Sequence, residues 1–187
     1  MKPLEPLRVQ SRHTIRVDGT TRLEHIVCCP RTHGWVSLAR CRACDASAHV
    51  SEGKVPVVVC ELAPSLTSSD RGSVRRHLAP AVWCIESDAP ARLALAVPSA
   101  QAEAVVVDAN GHAIGLLGRE RAKAAEEGEL ASVLMQPGVV MLLGDAPVEC
   151  AHALLSQRGV RTLPVVAGGR VVGCVETPVR SESKPTA

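Results

Sequence analysis

The hydrophobic pattern divides the chain at a polar segment, residues 63–79. This segment is rich in Pro, Ser and Gly and has little apolar periodicity, which is typical of a linker. Beyond it, short Val-rich stretches predict buried β-strands, and Val148, Ala151 and Leu155 recur at helical spacing up to Gly159. Before it, short apolar stretches lie between turn signals. We therefore expect two units of different character.

The pattern beyond the polar segment occurs twice. Asp88–Pro90 recurs as Asp145–Pro147, and Gly111–Gly115 recurs as Gly169–Gly173. Each copy predicts a short strand, a helix capped by the Asp, and two strands joined by a tight turn whose glycines allow positive φ. The chain has no Phe or Tyr and two Trp. The core of both copies is therefore expected to consist of Val, Leu, Ala and Ile.

The ordered set of motifs in the second copy, residues 145–155, 159–166 and 169–173, resembles the CBS domain, which is named after cystathionine β-synthase. The first copy resembles it through residues 105–115. The resemblance implies a mixed α/β fold in which tandem β-α-β-β-α repeats form a pseudo-twofold unit. It also implies dimerisation through the pair, an adenine nucleotide or similar effector, and a regulatory rather than catalytic role.

The resemblance also implies an effector-binding segment. In the family, the segment equivalent to Arg161, Thr162, Leu163 and Pro164 of this chain lines the base pocket. Nucleotide-binding members carry a Thr and an Asp after the glycine of the last strand, which hold phosphate and ribose. Those positions hold Gly118 and Arg121 in the first copy and Glu176 and Val179 in the second. The phosphate-binding pair of the family is thus missing from both copies.

Five of the eight cysteines precede the polar segment and predict a metal site. Cys41 and Cys44 have the Cys-x-x-Cys spacing of a zinc knuckle, in which a tight turn aims both sulfur atoms at one ion. Cys29, in a Cys-Pro step, is the expected third ligand and Cys60 the fourth. A unit of this size with few large apolar side chains needs such a stabilising ion. We expect structural zinc bound to four cysteines, or to three cysteines and a histidine.

Several alternatives stay open for these cysteines. Adjacent residues in an extended chain point to opposite faces, so only one of Cys28 and Cys29 is expected to bind. His25, His33 and His49 are possible substitutes. Thiolate ligands also suit iron, and the same cysteines could respond to oxidants, so a redox protein is the alternative function. The other three cysteines, Cys84, Cys150 and Cys174, lie in apolar patterns and are expected in the core.

Charge adds little to this interpretation. Residues 1–79 contain 12 Lys and Arg against 7 Asp and Glu (12 − 7 = +5), whereas residues 80–187 contain 9 against 12 (9 − 12 = −3). A basic N-terminal unit could contact a nucleic acid or an acidic protein partner, but a solvated Arg-rich surface is the favoured interpretation. No apolar run approaches the length of a membrane span, and no secretory signal precedes the first motif. We expect a cytoplasmic protein that does not enter a membrane.

These observations predict a non-enzymatic regulatory protein. The expected organisation is a cysteine-rich, β-rich metal-ribbon-like domain over residues 1–62, a linker over 63–79, CBS-type repeats over 80–130 and 131–180, and a disordered tail over 181–187. The pair of repeats is expected to form a homodimer and to sense an effector. No nucleophile elbow, phosphate loop or dinucleotide fingerprint points to an enzyme.

Overall fold

The computed structural model describes residues 6–32, 34–51, 56–61, 72–98, 101 and 103–177. The strands are β1 (Pro6–Leu7), β2 (Val9–Ile15), β3 (Thr21–Cys28), β4 (Trp35–Ser37), β5 (Ser47–Val50), β6 (Val58–Cys60), β7 (Ala81–Glu86), β8 (Glu103–Val107), β9 (Ala113–Gly118), β10 (Gln136–Pro137), β11 (Leu142–Leu143), β12 (Thr162–Ala167) and β13 (Arg170–Glu176). The α-helices are α1 (Leu38–Arg42), α2 (Arg119–Ala124), α3 (Ala131–Leu134) and α4 (Val148–Arg158), and short 3₁₀ helices cover Val74–Arg76 and Ala91–Ala96.

The largest sheet joins the N-terminal strands to the first repeat. Its seven strands lie in the order β10-β9-β8-β7-β2-β3-β4. Strand β2 runs parallel to β7, with Ser11 opposite Ala81 and Ile15 opposite Ile85. The expectation of a self-contained domain over residues 1–62 therefore needs correction, because β2, β3 and β4 extend the sheet of the first repeat. Local sequence pattern gives no sign of this long-range pairing.

The second repeat forms its own sheet, in the order β11-β12-β13. Strand β11 runs parallel to β12, and β12 and β13 form an antiparallel hairpin whose turn glycines, Gly168 and Gly169, have positive φ as expected. Helix α4 packs Ala151 and Leu155 against this sheet and ends at Gly159, which is left-handed with φ 63°. This confirms the predicted helix end, because glycine adopts that conformation without a Cβ clash.

Two local predictions about the repeats were wrong. The residue at the N-terminus of each helix is Pro90 or Pro147 rather than the preceding Asp, and neither helix has a side-chain cap. The Asp lies two residues too early to reach the free N–H groups of the helix. In addition, the first helix is a single 3₁₀ segment, Ala91–Ala96, because it is confined between Pro90 and Pro98.

The segment expected to be a linker packs against the second repeat where it is described. Val74 and Leu78 are buried in the same apolar cluster as Ala151 and Leu155. The backbone N–H of Val74 donates to the carbonyl of Ala146 at 2.8 Å. Residues 72–79 therefore belong to the core of the second repeat rather than to a solvated linker, whereas residues 62–71 and the expected tail over 181–187 lie outside the described residues.

The cysteine-rich region forms a small sheet and a short helix. The sheet has the order β1-β6-β5, and α1 follows directly from β4. A small apolar cluster joins Val27 of the large sheet to Leu38, Cys41 and Val58. The metal-ribbon domain is not seen as a separate unit, because its helix packs on the strand that continues the large sheet. None of the helices in the described part of the chain combines the length and apolar character needed to cross a bilayer.

Candidate functional site

A cleft lies where the N-terminal strands meet the hairpin turns of both repeats. Its volume is about 240 Å³. Arg12 and Thr14 of β2, and Arg16 directly after it, line the cleft because side chains two residues apart in an extended chain point to the same side. Arg22 from β3 and Arg170 from β13 add two further guanidinium groups. The run of polar residues in β2, Gln10–Thr14, carried no local sign of a cleft, and nothing local indicated that β13 would complete it.

An ion network organises this cleft. Nε of Arg12 donates to Oε2 of Glu24 at 2.9 Å, and Nη2 of Arg22 lies 2.8 Å from Oε1 of the same carboxylate. Burial alone would raise the pKa of Glu24, but the hydrogen bond from Arg12 and the charges of Arg12, Arg22 and Arg170 hold that pKa below its ordinary value. Glu24 is therefore ionised and shared between two arginines.

The expected effector segment lies at the other end of the same strands. Arg161 is exposed before β12, whereas Thr162, Leu163 and Pro164 are buried within it. Backbone N–H groups of Arg161 and Thr162 donate to the carboxylate of Glu103, the first residue of β8. The four residues do not line the arginine cleft, and three of them contribute to the core of the sheet.

Three buried oxygen atoms around Thr162 have no hydrogen-bond partner in the described part of the chain. They are Oγ1 of Thr162, Oε2 of Glu103 and Oε1 of Glu176. Thr162 pairs with Glu176 in the sheet, so these groups are neighbours. Burial raises the pKa of Glu103 against the opposing backbone hydrogen bonds, and burial also raises the pKa of Glu176. A buried polar atom without a partner is costly, so this cluster marks a place where a ligand or water completes the hydrogen bonding.

A second cavity, of about 380 Å³, contains three of the four expected metal ligands. Cys29, Cys41 and Cys44 line it. Cys41 lies buried in α1, and the N–H of Cys44 donates to its carbonyl at 3.2 Å, which forms the tight turn expected of a Cys-x-x-Cys pair. Cys60 is buried at the end of β6. Burial, followed by the nearby Cys29, Cys44 and Cys60, raises the pKa of the Cys41 thiol.

The sulfur of Cys29 differs from its neighbours. Burial would raise its pKa, but hydrogen bonds from the backbone N–H groups of Thr32 and Arg31, the Thr32 hydroxyl and the charge of Arg40 lower it overall. Cys28 instead faces Arg75, whose Nη1 lies 3.5 Å from its sulfur. The structure thus brings Cys29 rather than Cys28 to the cavity that contains Cys41.

The side chains around this cavity are not arranged as a metal centre. Within the described residues, no group of three or more His, Cys, Asp or Glu side chains is arranged to hold an ion. Of the histidine substitutes, His25 makes a 3.1 Å contact with the hydroxyl of Ser11 on the large sheet, and His49 lies on β5. His33 lies outside the described residues.

Two of the three cysteines that were expected in the core are buried. Cys84 and Cys174 are buried as expected. Cys150 is exposed, so that prediction was wrong. The core face of α4 is set by Val148, Ala151 and Leu155, and Cys150 points away from it because successive helical residues are rotated by about 100°.

The comparison with known families decides what the second repeat is. Residues 129–176 match the family model of the CBS domain. The second repeat is a CBS domain. This match confirms the resemblance for that segment. No curated protein matched the chain in a search of its sequence.

Solved structures of CBS domain pairs share the fold. The CBS domain pair/ACT domain protein from Thermotoga maritima is 20% identical, with a TM-score of 0.50, and the match covers 56% of this chain and 88% of that one. The CBS domains of a transcriptional regulator from Streptococcus pneumoniae are 11% identical, with a TM-score of 0.50, over 56% of this chain and 92% of that one. A third structure, a complex with AMP, is 21% identical with a TM-score of 0.48 over 56% and 89%.

Proposed function

We propose that this protein is a non-enzymatic regulatory protein whose CBS domain, together with the first repeat, binds a small effector beside Arg161–Pro164. The observation that carries this proposal is the cluster of three unpartnered oxygens on Glu103, Thr162 and Glu176. Such a cluster is costly unless it binds something that donates hydrogen bonds. It also lies at the segment that the family resemblance assigns to the effector.

The charges of this cluster define the class of effector. Glu176 stands at a position that holds phosphate or ribose in nucleotide-binding members, Glu103 lies beside it, and a carboxylate repels a phosphate at short range. Carboxylates are well suited, in contrast, to ribose hydroxyls and amino groups, as the acidic residue on the ribose of dinucleotide-binding proteins illustrates. We therefore propose an adenosine-type effector recognised through its nucleoside part, in preference to AMP or ATP.

Calorimetric titration with adenosine, AMP and ATP tests this proposal. We expect adenosine to bind more tightly than either nucleotide. Thr162→Val keeps the shape of the side chain but removes the hydroxyl, and it should weaken adenosine binding at least tenfold. Glu149→Gln, at an exposed position in α4, is the control and should bind as the wild type does. Tighter binding of ATP would overturn the nucleoside assignment, and no binding by any of the three would overturn the effector site.

We further propose that the pair of repeats forms a homodimer and that the protein acts in the cytoplasm on a protein partner. Exposed large apolar side chains within one short segment support an association surface: Leu130, Val133, Met141 and Leu143. Light scattering should give about twice the chain mass of 19.7 kDa. Val133→Glu should yield the monomer. Val17→Glu, at an exposed site just after β2 and outside this segment, should leave the dimer intact. A monomeric wild type would contradict the dimer.

We propose, finally, that Cys29, Cys41, Cys44 and Cys60 bind one structural zinc ion. The shared cavity of the first three and the proximity of Cys60 to Cys41 support it. N–H donors around the Cys29 sulfur are the kind of outer contacts that hold a thiolate ligand in place. Nucleic-acid contact by this basic region is the weaker expectation, because the region offers a single aromatic side chain, Trp35, for base stacking.

Metal content of the anaerobically purified full chain tests the zinc site. We expect about one zinc per wild-type chain, loss of it in Cys44→Ser, and retention in Cys150→Ser, which changes an exposed thiol on α4. Iron in place of zinc would favour the alternative, a redox protein that uses the same cysteines. Absence of any metal from the wild-type protein would overturn the site.

A further inference from the structure

The arginine cleft is separate from the proposed effector cluster. Strand β8 begins at Glu103 beside that cluster and ends at Val107 in the cleft, and β13 begins at Arg170 in the cleft and ends at Glu176 beside the cluster. The two places therefore lie at opposite ends of the same strands. The cleft also includes β2 and β3, which precede the segment that matches the CBS domain.

Two of the three acidic side chains that line the cleft, Glu24 and Asp108, are already engaged by the protein. Both oxygens of Glu24 face arginines. Asp108 accepts hydrogen bonds from the backbone N–H groups of Asn110 and His112 at 2.8 and 2.9 Å, and its other oxygen lies 3.0 Å from the His112 ring. These contacts lower the pKa of Asp108, and they use both of its carboxylate oxygens within its own turn.

The arginines, in contrast, retain donors. A guanidinium group has five N–H donors in a planar fork. Arg22 meets Glu24 through one nitrogen, and Arg16 lies 3.9 Å from Glu86, a loose contact; their side chains are 63% and 55% exposed. Arg170 packs its guanidinium over the Gly111 turn, where a Cβ would come within 3.2 Å of Nε. Within the part of the chain that the structure describes, Arg16, Arg22 and Arg170 thus border one cavity with N–H donors left to bind a ligand.

We propose that this cleft binds a small oxyanion, inorganic phosphate or a phosphate monoester, through Arg16, Arg22, Arg170 and the hydroxyl of Thr14. Guanidinium groups bind phosphate by paired, charge-assisted hydrogen bonds. A cavity of about 240 Å³ fits a small anion, whereas a nucleic-acid strand needs an extended groove. Thr14, Arg16 and Arg22 come from the N-terminal segment and Arg170 from the CBS domain, so the anion would contact both, which the hydrogen bond from Arg12 to Val171 already joins.

Calorimetric titration of the full chain with inorganic phosphate and with pyrophosphate at low ionic strength tests this site. We expect binding that weakens as sodium chloride is added, since the interaction is electrostatic. Arg22→Gln together with Arg170→Gln should weaken binding at least tenfold. Arg158→Gln makes the same charge change at an exposed position of α4 and should have no effect. Thermal melts of all variants check that they fold.

A substitution of opposite sign makes the test sharper. Glu86→Gln removes the acidic partner of Arg16 and should increase phosphate affinity severalfold, which a purely structural arginine cluster would not predict. No phosphate or pyrophosphate binding by the folded wild type would overturn the proposal, and so would binding of an oligonucleotide in its place. Adenosine binding at the Thr162 cluster should persist in the double arginine variant, so the two proposed sites can fail independently.

Discussion

Nη1 of Arg12 donates a hydrogen bond of 2.9 Å to the backbone oxygen of Val171, a residue 159 positions further along the chain. Through this contact, a strand near the N-terminus is attached to the first residues of the last strand. The same guanidinium also pairs with Glu24 on β3. One side chain thus connects the N-terminal strands with the CBS domain, in addition to the pairing of β2 with β7 in the first repeat.

Replacement of Arg12 tests this connection. Arg12→Met keeps much of the side-chain volume but leaves the Val171 carbonyl without its donor and Glu24 with Arg22 alone. Because Arg12 is 8% exposed, we expect a loss of about 2–4 kcal/mol in the free energy of unfolding, measured by urea denaturation. Arg158→Met, at an exposed site, should change stability by less than about 0.5 kcal/mol. Equal stability of the two variants would contradict a structural role for Arg12.

How much of this fold could be predicted depends on the range of each interaction. Gly111, Gly159 and Gly169 mark turns and a helix end that local sequence predicts, because each adopts a positive φ that few other residues tolerate. The pairing of β2 with β7 had no such local signal, since backbone hydrogen bonds between distant segments do not depend on residue type. The linker-like composition before residue 80 hid Val74 and Leu78, two isolated apolar residues that the second repeat buries.

In the candidate sites too, local features could be predicted from the sequence and long-range ones could not. The spacing of Cys41 and Cys44 predicted a local turn, and the structure has that turn. The cluster of Glu103, Thr162 and Glu176 combines residues from three strands and was not predicted, although Glu176 stood out as the replacement of a phosphate-binding residue. The arginine cleft had no local signal, because the polar residues Gln10–Thr14 of β2 are consecutive and do not alternate with apolar ones, and Arg170 lies far from them in the sequence.

The equivalent glycines of the two repeats provide a second test. A Cβ at Gly115 would lie 2.9 Å from Cβ of Met135 and would also overlap its Sδ, while a Cβ at Gly173 would lie 2.8 Å from Cδ1 of Leu78. Gly115→Ala should therefore cost about 1–3 kcal/mol of stability because the neighbour cannot move its Cβ away. Gly118→Ala, which meets nothing within 4 Å, is the matched control and should be close to neutral in thermal melts.

Thiol reactivity provides a third test. Burial raises the pKa of Cys84 to about 12, and burial, followed by the charge of Glu176, raises the pKa of Cys174. The thiolate is the reactive form, so both should resist iodoacetamide at neutral pH while exposed Cys150 is alkylated. Peptide mass spectrometry over time measures the order, with a urea-unfolded sample as the control. Modification of Cys84 as fast as Cys150 in the folded protein would contradict the buried position.

The stacked pair of His13 and Trp83 predicts how stability depends on pH. The ring centroids are 4.3 Å apart, and burial, followed by the charge of His25, lowers the pKa of His13 below its ordinary value of 6.5. The folded state therefore favours neutral His13, so its contribution to stability is present above pH 6.5 and is lost as the pH falls through the lower folded pKa. Carboxylates with lowered pKa values, such as Glu24, titrate below this range and affect stability only at more acidic pH.

Urea denaturation at pH 7.5 and at pH 5.5 measures this effect. His13→Phe retains an aromatic ring against Trp83 but cannot be protonated, so between the two conditions it should lose less stability, or gain more, than the wild type does. His152→Asn, at an exposed position of α4, should keep the wild-type difference. If His13→Phe and the wild type lose the same free energy on acidification, the titration of His13 does not contribute and the stack is a packing contact alone.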